Sequence, residues 1–242
     1  MIRALLIGLG ICVACVASGE AARPRTEVKT YHSDEFGYSI TIPEGWTRIP
    51  DSDLRAATQR IFSDELLEKL TFEVAMQRRA SEPFTYPYAW VQIERYPSGH
   101  QISERGMRQY IKNMTALSEE DIRKHIKEGA SEVAADLKNV KIDFDPETRT
   151  FSSSHASETE GAGRTRACMY GWFGHRSVIS VAFYTRDDEF ERCQPALEQM
   201  RKSFKFDPGM EYQPVDWFAS QTFAWVLIVG ASSVLALVLR RK

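Results

Sequence analysis

The chain has 242 residues, of which 43% are hydrophobic and 11% aromatic, and no long low-complexity tract interrupts it, a composition that excludes a disordered polymer. Four of its 31 basic residues, Arg3, Arg240, Arg241 and Lys242, sit at the two ends, so the bulk of the chain sets 27 basic side chains against 33 acidic ones, about −6. That balance argues against nucleic acid or anionic lipid as the ligand of the bulk.

Taken in chain order, Arg3 precedes an apolar run from Ala4 to Val16, and the small residues Ala17, Ser18 and Gly19 follow. This pattern predicts a signal peptide over residues 1–19, cleaved after Gly19, with Ala21 and Ala22 as alternative sites. Cys15, preceded by Val13 and Ala14, offers a lipid-acceptor alternative, although Cys12 stands where such signals carry leucine. A retained N-terminal anchor is a third reading. Between the two apolar ends lie about 195 residues, one domain's worth of chain.

Val28 to His32 and Phe36 to Ile42 predict two strands joined by a tight Asp34-Glu35 turn, and a Pro43-Glu44-Gly45 turn leads to Trp46. Leu54, Ala57, Ile61, Leu66, Leu67 and Leu70 predict one broken helix or two short ones over Asp51 to Leu70. Thr71 to Arg79 alternates, with Phe72, Val74 and Met76 expected on one face, and Ala89, Val91 and Ile93 do the same within Tyr88 to Tyr96. Met107, Ile111 and Met114 predict one amphipathic helix; Ile122, Ile126, Val133 and Leu137, after a capping box at Ser118 and Asp121, predict a second. Four strands follow, Val140 to Phe144, Arg149 to Ser157, Thr165 to Phe173 and Ser177 to Tyr184, the last three as a meander turned by Gly161, Gly163 and Gly174. Phe190, Cys193, Leu197 and Met200 mark the buried stripe of a final helix, and Ser203 to Phe206 a closing strand.

Residues 207–216 are a Pro-containing linker, and from Trp217 to Leu239 the chain carries no charge before ending on Arg240, Arg241 and Lys242. At 1.5 Å per residue this run is about 35 Å of helix, enough for a hydrocarbon core of roughly 30 Å. The basic cluster marks the cytoplasmic end. The expected topology is therefore single-pass type I, an integral membrane protein with residues 20–206 outside. A processed C-terminal sorting signal is the alternative reading of the same run.

Strand hairpins on either side of a helical middle predict an α+β domain, an antiparallel sheet flanked by helices. The segment FGYSITIPEGW, Phe36 to Trp46, resembles the opening of PsbP-like domains, and the helix from Glu189 to Lys202 running into SFKF is similar to their close. The resemblance covers about 30 residues. It implies a sheet sandwiched by helices, a fold shared with a Ran-binding nuclear import factor and with DcrB-like envelope lipoproteins. It leaves the role open, since members include assembly factors and photosystem subunits.

Catalytic and metal patterns are sparse. His32, His100, His125, His155 and His175 stand singly, without a His-Glu-x-x-His run or cysteine pairs at finger spacing. Asp121, His125 and Glu128 share a helix face, read as a solvated one. Asp187, Asp188 and Glu189 suit the dipole at the start of the last helix better than a cation. Ser152, Ser153, Ser154 and His155 alternate faces in a strand and lack a nucleophile elbow. No metal or cofactor is expected. With Cys12 and Cys15 gone with the signal, an oxidising compartment favours a disulfide between Cys168 and Cys193, the alternative being two buried thiols. Asn113-Met114-Thr115 is a glycosylation triplet if the source is eukaryotic.

One stretch, EPFTYPYAW, groups Phe84, Tyr86, Tyr88 and Trp90 around Pro83 and Pro87. Rigid amphipathic rings of this type anchor interfaces, so these four are the expected partner-binding residues, with packing onto their own sheet as the alternative. The reading is a non-catalytic binding or assembly module with a protein partner. An envelope hydrolase or small-ligand-binding domain is the alternative.

Overall fold

The computed structural model describes residues 29–96, 101–116, 136–159 and 163–213. The alternating segments pair into two antiparallel sheets. In chain order the elements are β1 (Lys29–Ser33), β2 (Tyr38–Ile42), β3 (Trp46–Arg48), α1 (Asp51–Ile61), α2 (Asp64–Leu67), β4 (Leu70–Arg78), β5 (Tyr88–Arg95), α3 (Glu104–Thr115) and β6 (Asp136–Asp145). Then follow β7 (Thr150–Thr159), β8 (Gly163–Phe173), β9 (Ser177–Arg186), a single 3-10 turn at Asp187–Glu189, α4 (Phe190–Ser203) and β10 (Lys205–Phe206). The expected break between α1 and α2 falls at Phe62, whose extended backbone still donates its N–H to the Thr58 carbonyl at 2.9 Å.

Seven strands form the main sheet in the order β3-β4-β5-β9-β8-β7-β6, and β1-β2-β10 form a small three-stranded sheet. The architecture is the α+β arrangement expected. One face of the main sheet buries Val74, Met76, Val91, Ile93, Val181 and Phe183 beneath α4 and the small sheet. The other buries Ala75, Trp90, Met169, Phe173, Ala182 and Tyr184 beneath α1, α2 and α3. Both edges resist pairing with another chain: β3 has three residues, and β6 carries Lys141, Asp143 and Asp145.

The structure corrects three details of the sequence reading. The alternation of Phe72, Val74 and Met76 is interrupted by a bulge between Phe72 and Val74. Phe72 thereby packs against Phe62 and Trp90 on the α1 side, while Val74 and Met76 remain on the α4 side. The bulge also delivers Glu73 to the small sheet, where its carboxylate accepts hydrogen bonds from Ser33 Oγ and, at 2.7 Å, from the Tyr38 hydroxyl. Leu137, expected at a helix end, belongs to β6, paired with Ser157. Finally, the alternation of Ala89, Val91 and Ile93 marks only one of two covered faces: β5 is buried on both, and Gln92 and Glu94 are interior.

Among the described residues no helix is long and apolar enough to cross a membrane. The predicted signal peptide, His100, Asp121, His125, Glu128, Gly161 and the predicted span at 217–239 lie outside the described residues. Asn113 of the glycosylation triplet sits in α3, with its side-chain oxygen accepting from Gln109 Nε2 at 2.6 Å.

Candidate functional site

The loop from Arg79 to Pro87 folds back onto the sheet, with Gln77 Nε2 donating to the Glu82 carbonyl at 2.8 Å and the Arg78 N–H to that of Pro87 at 3.2 Å. Of the four rings expected to meet a partner, Phe84, Tyr88 and Trp90 are buried, the last two completely. Tyr86 is half-buried and stacks on Tyr88 at 5.4 Å. Tyr88 in turn stacks on Tyr184 at 4.9 Å, and Phe84 meets Tyr88 edge-on at 5.4 Å. The packing alternative therefore describes these rings: the strand that follows the prolines is central rather than exposed, and its aromatic side chains fill the core beneath α1. Phe84 takes a φ of 58°, in the left-handed region that costs a phenylalanine about 1–2 kcal/mol and that burial of its ring offsets.

The expected disulfide is absent. Cys168 and Cys193 are both free, buried thiols. Cys193, on α4, accepts a weak hydrogen bond from Thr185 Oγ1 at 3.8 Å, while Cys168 lines a groove at the side of that helix. Burial pushes the Cys168 thiol up to about 11, which keeps it protonated and unreactive at neutral pH. Denatured full-length protein is accordingly expected to titrate two thiols at these positions, and reductant to leave the unfolding temperature of the native protein unchanged. A loss of several degrees on reduction would restore the bridge.

The remaining candidate residues are engaged structurally. Asp187 pairs with Arg166 at 2.7 Å and Arg164 at 3.1 Å, and Glu189 pairs with Arg192. His32 lies 3.0 Å from Ser39 Oγ, and His175 3.3 Å from Gln101 Oε1. Among the described residues no three His, Cys, Asp or Glu side chains gather as a metal site. In β7, Ser152 and Ser154 are half-buried while Ser153 and His155 are buried, as strand alternation requires.

Three features could hold a ligand. The first is a cleft of about 760 Å³ at the end of β5 and start of β9, lined by Glu35, Phe36, Glu94, Arg95, Tyr96 and Arg176 among others. Glu94 accepts a hydrogen bond from the Tyr110 hydroxyl at 3.1 Å, and burial pushes its carboxyl up to about 7 against the opposing pull of that bond. The second is a groove of two adjoining hollows, about 480 and 420 Å³, on the α4 side of β6, β7 and β8 where those strands run past the helix. Half-buried Tyr170 and Trp172 form its inner wall, with Arg166 over Phe190 at 4.3 Å and Arg201 over Tyr170 at 5.4 Å. Lys141, Asp143, Ser152 and Ser154 line the open side.

The third was invisible to the sequence reading. On the α1 side of the sheet, Trp90 Nε1, Gln92 Oε1, Ser153 Oγ, His155 Nδ1 and Ser180 Oγ are buried polar atoms without a hydrogen-bond partner. A buried polar atom left unpaired typically costs about 1–3 kcal/mol. Strand register places them on one face in two groups: Gln92 faces Ser180 across β5 and β9, while Ser153 and His155 lie on β7 beyond β8, whose Met169 faces Ser153 and accepts from Gln92 Nε2 at 3.6 Å. His155 is held neutral because burial lowers its pKa to about 4. The available signal was parity: Gln92 and Glu94 share it with Tyr88 and Trp90, rings that an outer strand face would not carry.

No family model and no curated protein matches the sequence. Solved structures do. The chain is similar to cyanobacterial PsbP (CyanoP) from Synechocystis, with a TM-score of 0.45 and 12% identity over 80% of this chain and 98% of that one. The likeness is one of fold. LpqN of Mycobacterium tuberculosis, described as involved in cell envelope biogenesis, is similar at a TM-score of 0.39 and 9% identity, over 75% of this chain and 91% of that one. A Bacteroides thetaiotaomicron structure follows at a TM-score of 0.31 and 12% identity, over 77% of this chain and 52% of its own.

Proposed function

We propose that this chain is a membrane-tethered, extracytoplasmic binding module that captures a protein partner without catalysis. The apolar run at 217–239 with its Arg-Arg-Lys end, and the apolar N-terminus behind Arg3, support the address. The observation that carries the binding role is the groove beside α4, where Tyr170 and Trp172 of β8 are half-buried at its wall, Trp172 stacked on Phe204 at 4.0 Å. Rings flanked by arginines are the composition of interface anchors, and Arg166 and Arg201 are already oriented by Asp187 and Glu198. Its paired, mixed charges suit a protein surface better than a polyanion.

Crosslinking of the full-length protein in its own membrane tests this. Ser154→Arg with Lys141→Glu, both on the open side of the groove, should reduce the recovered partner at least tenfold while the unfolding temperature stays within about 2 °C, as surface changes normally allow. Undiminished capture by this stable variant would overturn the assignment. A small-ligand-binding role is the second reading, favoured by the unpaired polar atoms on the opposite side of the sheet.

A further inference from the structure

We infer that the α1 side of the sheet carries an interior site for a small uncharged molecule bearing hydroxyl or amide groups, held by Gln92, Ser153, His155, Ser180 and the Trp90 indole N–H. The inference is independent of the groove beside α4, which lies on the other face.

Its basis is an accounting of hydrogen bonds. Trp90 Nε1 can only donate and Gln92 Oε1 can only accept, while the two hydroxyls and the imidazole nitrogen of His155 adapt to either role. All five are buried, the residues being 0 to 4% exposed, and none has a partner. Native interiors satisfy nearly all such atoms, so five on one sheet face, from β5, β9 and β7, imply an occupant that supplies the missing partners. The cluster crosses β5, β9, β8 and β7, about 14 Å at ordinary strand spacing, which is the breadth of a compound of modest size.

The floor between these atoms combines short side chains with Met169, whose Sδ accepts from Gln92 Nε2 at 3.6 Å. Ala182 stands between Trp90 and Met169, and Ala167 between His155 and Tyr184, in the cross-strand register. Gly171, beside Ser180, leaves its space to the Phe151 ring, which closes that margin, and Trp90 and Tyr184, 5.1 Å apart, close the opposite one. Rings at the rim and neutral donors and acceptors on the floor match a ligand with apolar edges and hydroxyl or amide groups. An ion would meet no countercharge on this floor. His155 stays neutral there, and the nearby carboxyl of Glu94 is engaged by Tyr110.

The test uses the full-length protein in detergent and a panel of uncharged probes, glycerol, glucose, acetamide and N-acetylglucosamine, against the charged analogues gluconate and glucosamine. At least one uncharged probe should raise the unfolding temperature in a saturable way and perturb tryptophan fluorescence, with neither charged analogue doing so. Ser180→Ala and Gln92→Met should each weaken that probe at least tenfold. Both substitutions delete an unpaired atom at nearly constant shape, and Gln92→Met gives up in addition only the weak 3.6 Å bond to Met169 Sδ, so unliganded Ser180→Ala should unfold no earlier than the parent, which separates a binding role from a structural one. Failure of all four uncharged probes, or affinity unchanged in both variants, would overturn the inference. So would a high-resolution structure with ordered water alone on the five atoms. Loss of partner capture by the groove variant leaves these readouts untouched, so the two readings fail separately.

Discussion

Replacing Phe84 by alanine is expected to destabilise the protein by about 3–5 kcal/mol, a drop of roughly 10 °C or more in the unfolding temperature of a domain this size. The ring is 4% exposed and lies against Tyr88 at 5.4 Å and Trp90 at 6.2 Å, so truncation opens a cavity in the core under α1. The backbone adds a second signature. Since φ at Phe84 is 58°, glycine suits the position better than alanine, and Phe84→Gly should unfold no earlier than Phe84→Ala although it removes one more carbon. Circular dichroism melts of the full-length protein in detergent read both. An unchanged melt together with lost partner capture would instead return the aromatic stretch to an interface role.

Glu94→Gln is expected to raise stability at pH 8 by on the order of 3 kcal/mol and to change it little at pH 5. Burial raises the Glu94 carboxyl from 4.5 to about 7 in the folded protein. Below pH 4.5 the proton is bound in both states and the group costs nothing; as pH rises from 4.5 towards 7 the unfolded chain releases it first, and folding loses free energy across that window. Glutamine cannot ionise and keeps an oxygen for the Tyr110 hydroxyl. His155 acts in the other direction. Its folded pKa is lowered from 6.5 to about 4, so its contribution is complete above 6.5 and lost as pH falls towards 4. The wild-type maximum should lie between these limits, and Glu94→Gln should move it to higher pH. Urea titrations at half-unit pH steps would show this, and parallel curves for the two proteins would refute it.

What could be read from the sequence was whatever depends on local period. The four strands after residue 136, the stripe Cys193, Leu197 and Met200, and the α+β class follow from alternation and helical spacing, and the structure has them. Readings failed where tertiary context decides a side chain's surroundings. Alternation in β5 identifies two faces without saying that both are covered, so the burial of Gln92 and Glu94 was not legible. The bulge before Val74 leaves no mark in composition, and it moved Phe72 to the other side. Cysteine count and compartment favoured a bridge, but pairing depends on the relative placement of a strand and a helix, which two positions in a sequence do not specify. For the four rings between Pro83 and Trp90, aromatic content was legible and burial was not, because the loop's course is set by β4, β5 and α1 together.

The order of strands has a temporal consequence. The sheet's centre joins β5 to β9, with Tyr88 opposite Tyr184 and Arg95 opposite Ser177, so its two halves come from opposite ends of the domain. Strands β3 to β5 can form a ribbon early in synthesis, yet β5 keeps an open apolar edge until nearly the whole domain has been made. Such long-range closure slows folding. A chain emerging from N- to C-terminus therefore lacks its central strand pair for most of its passage and gains it only as β9 arrives.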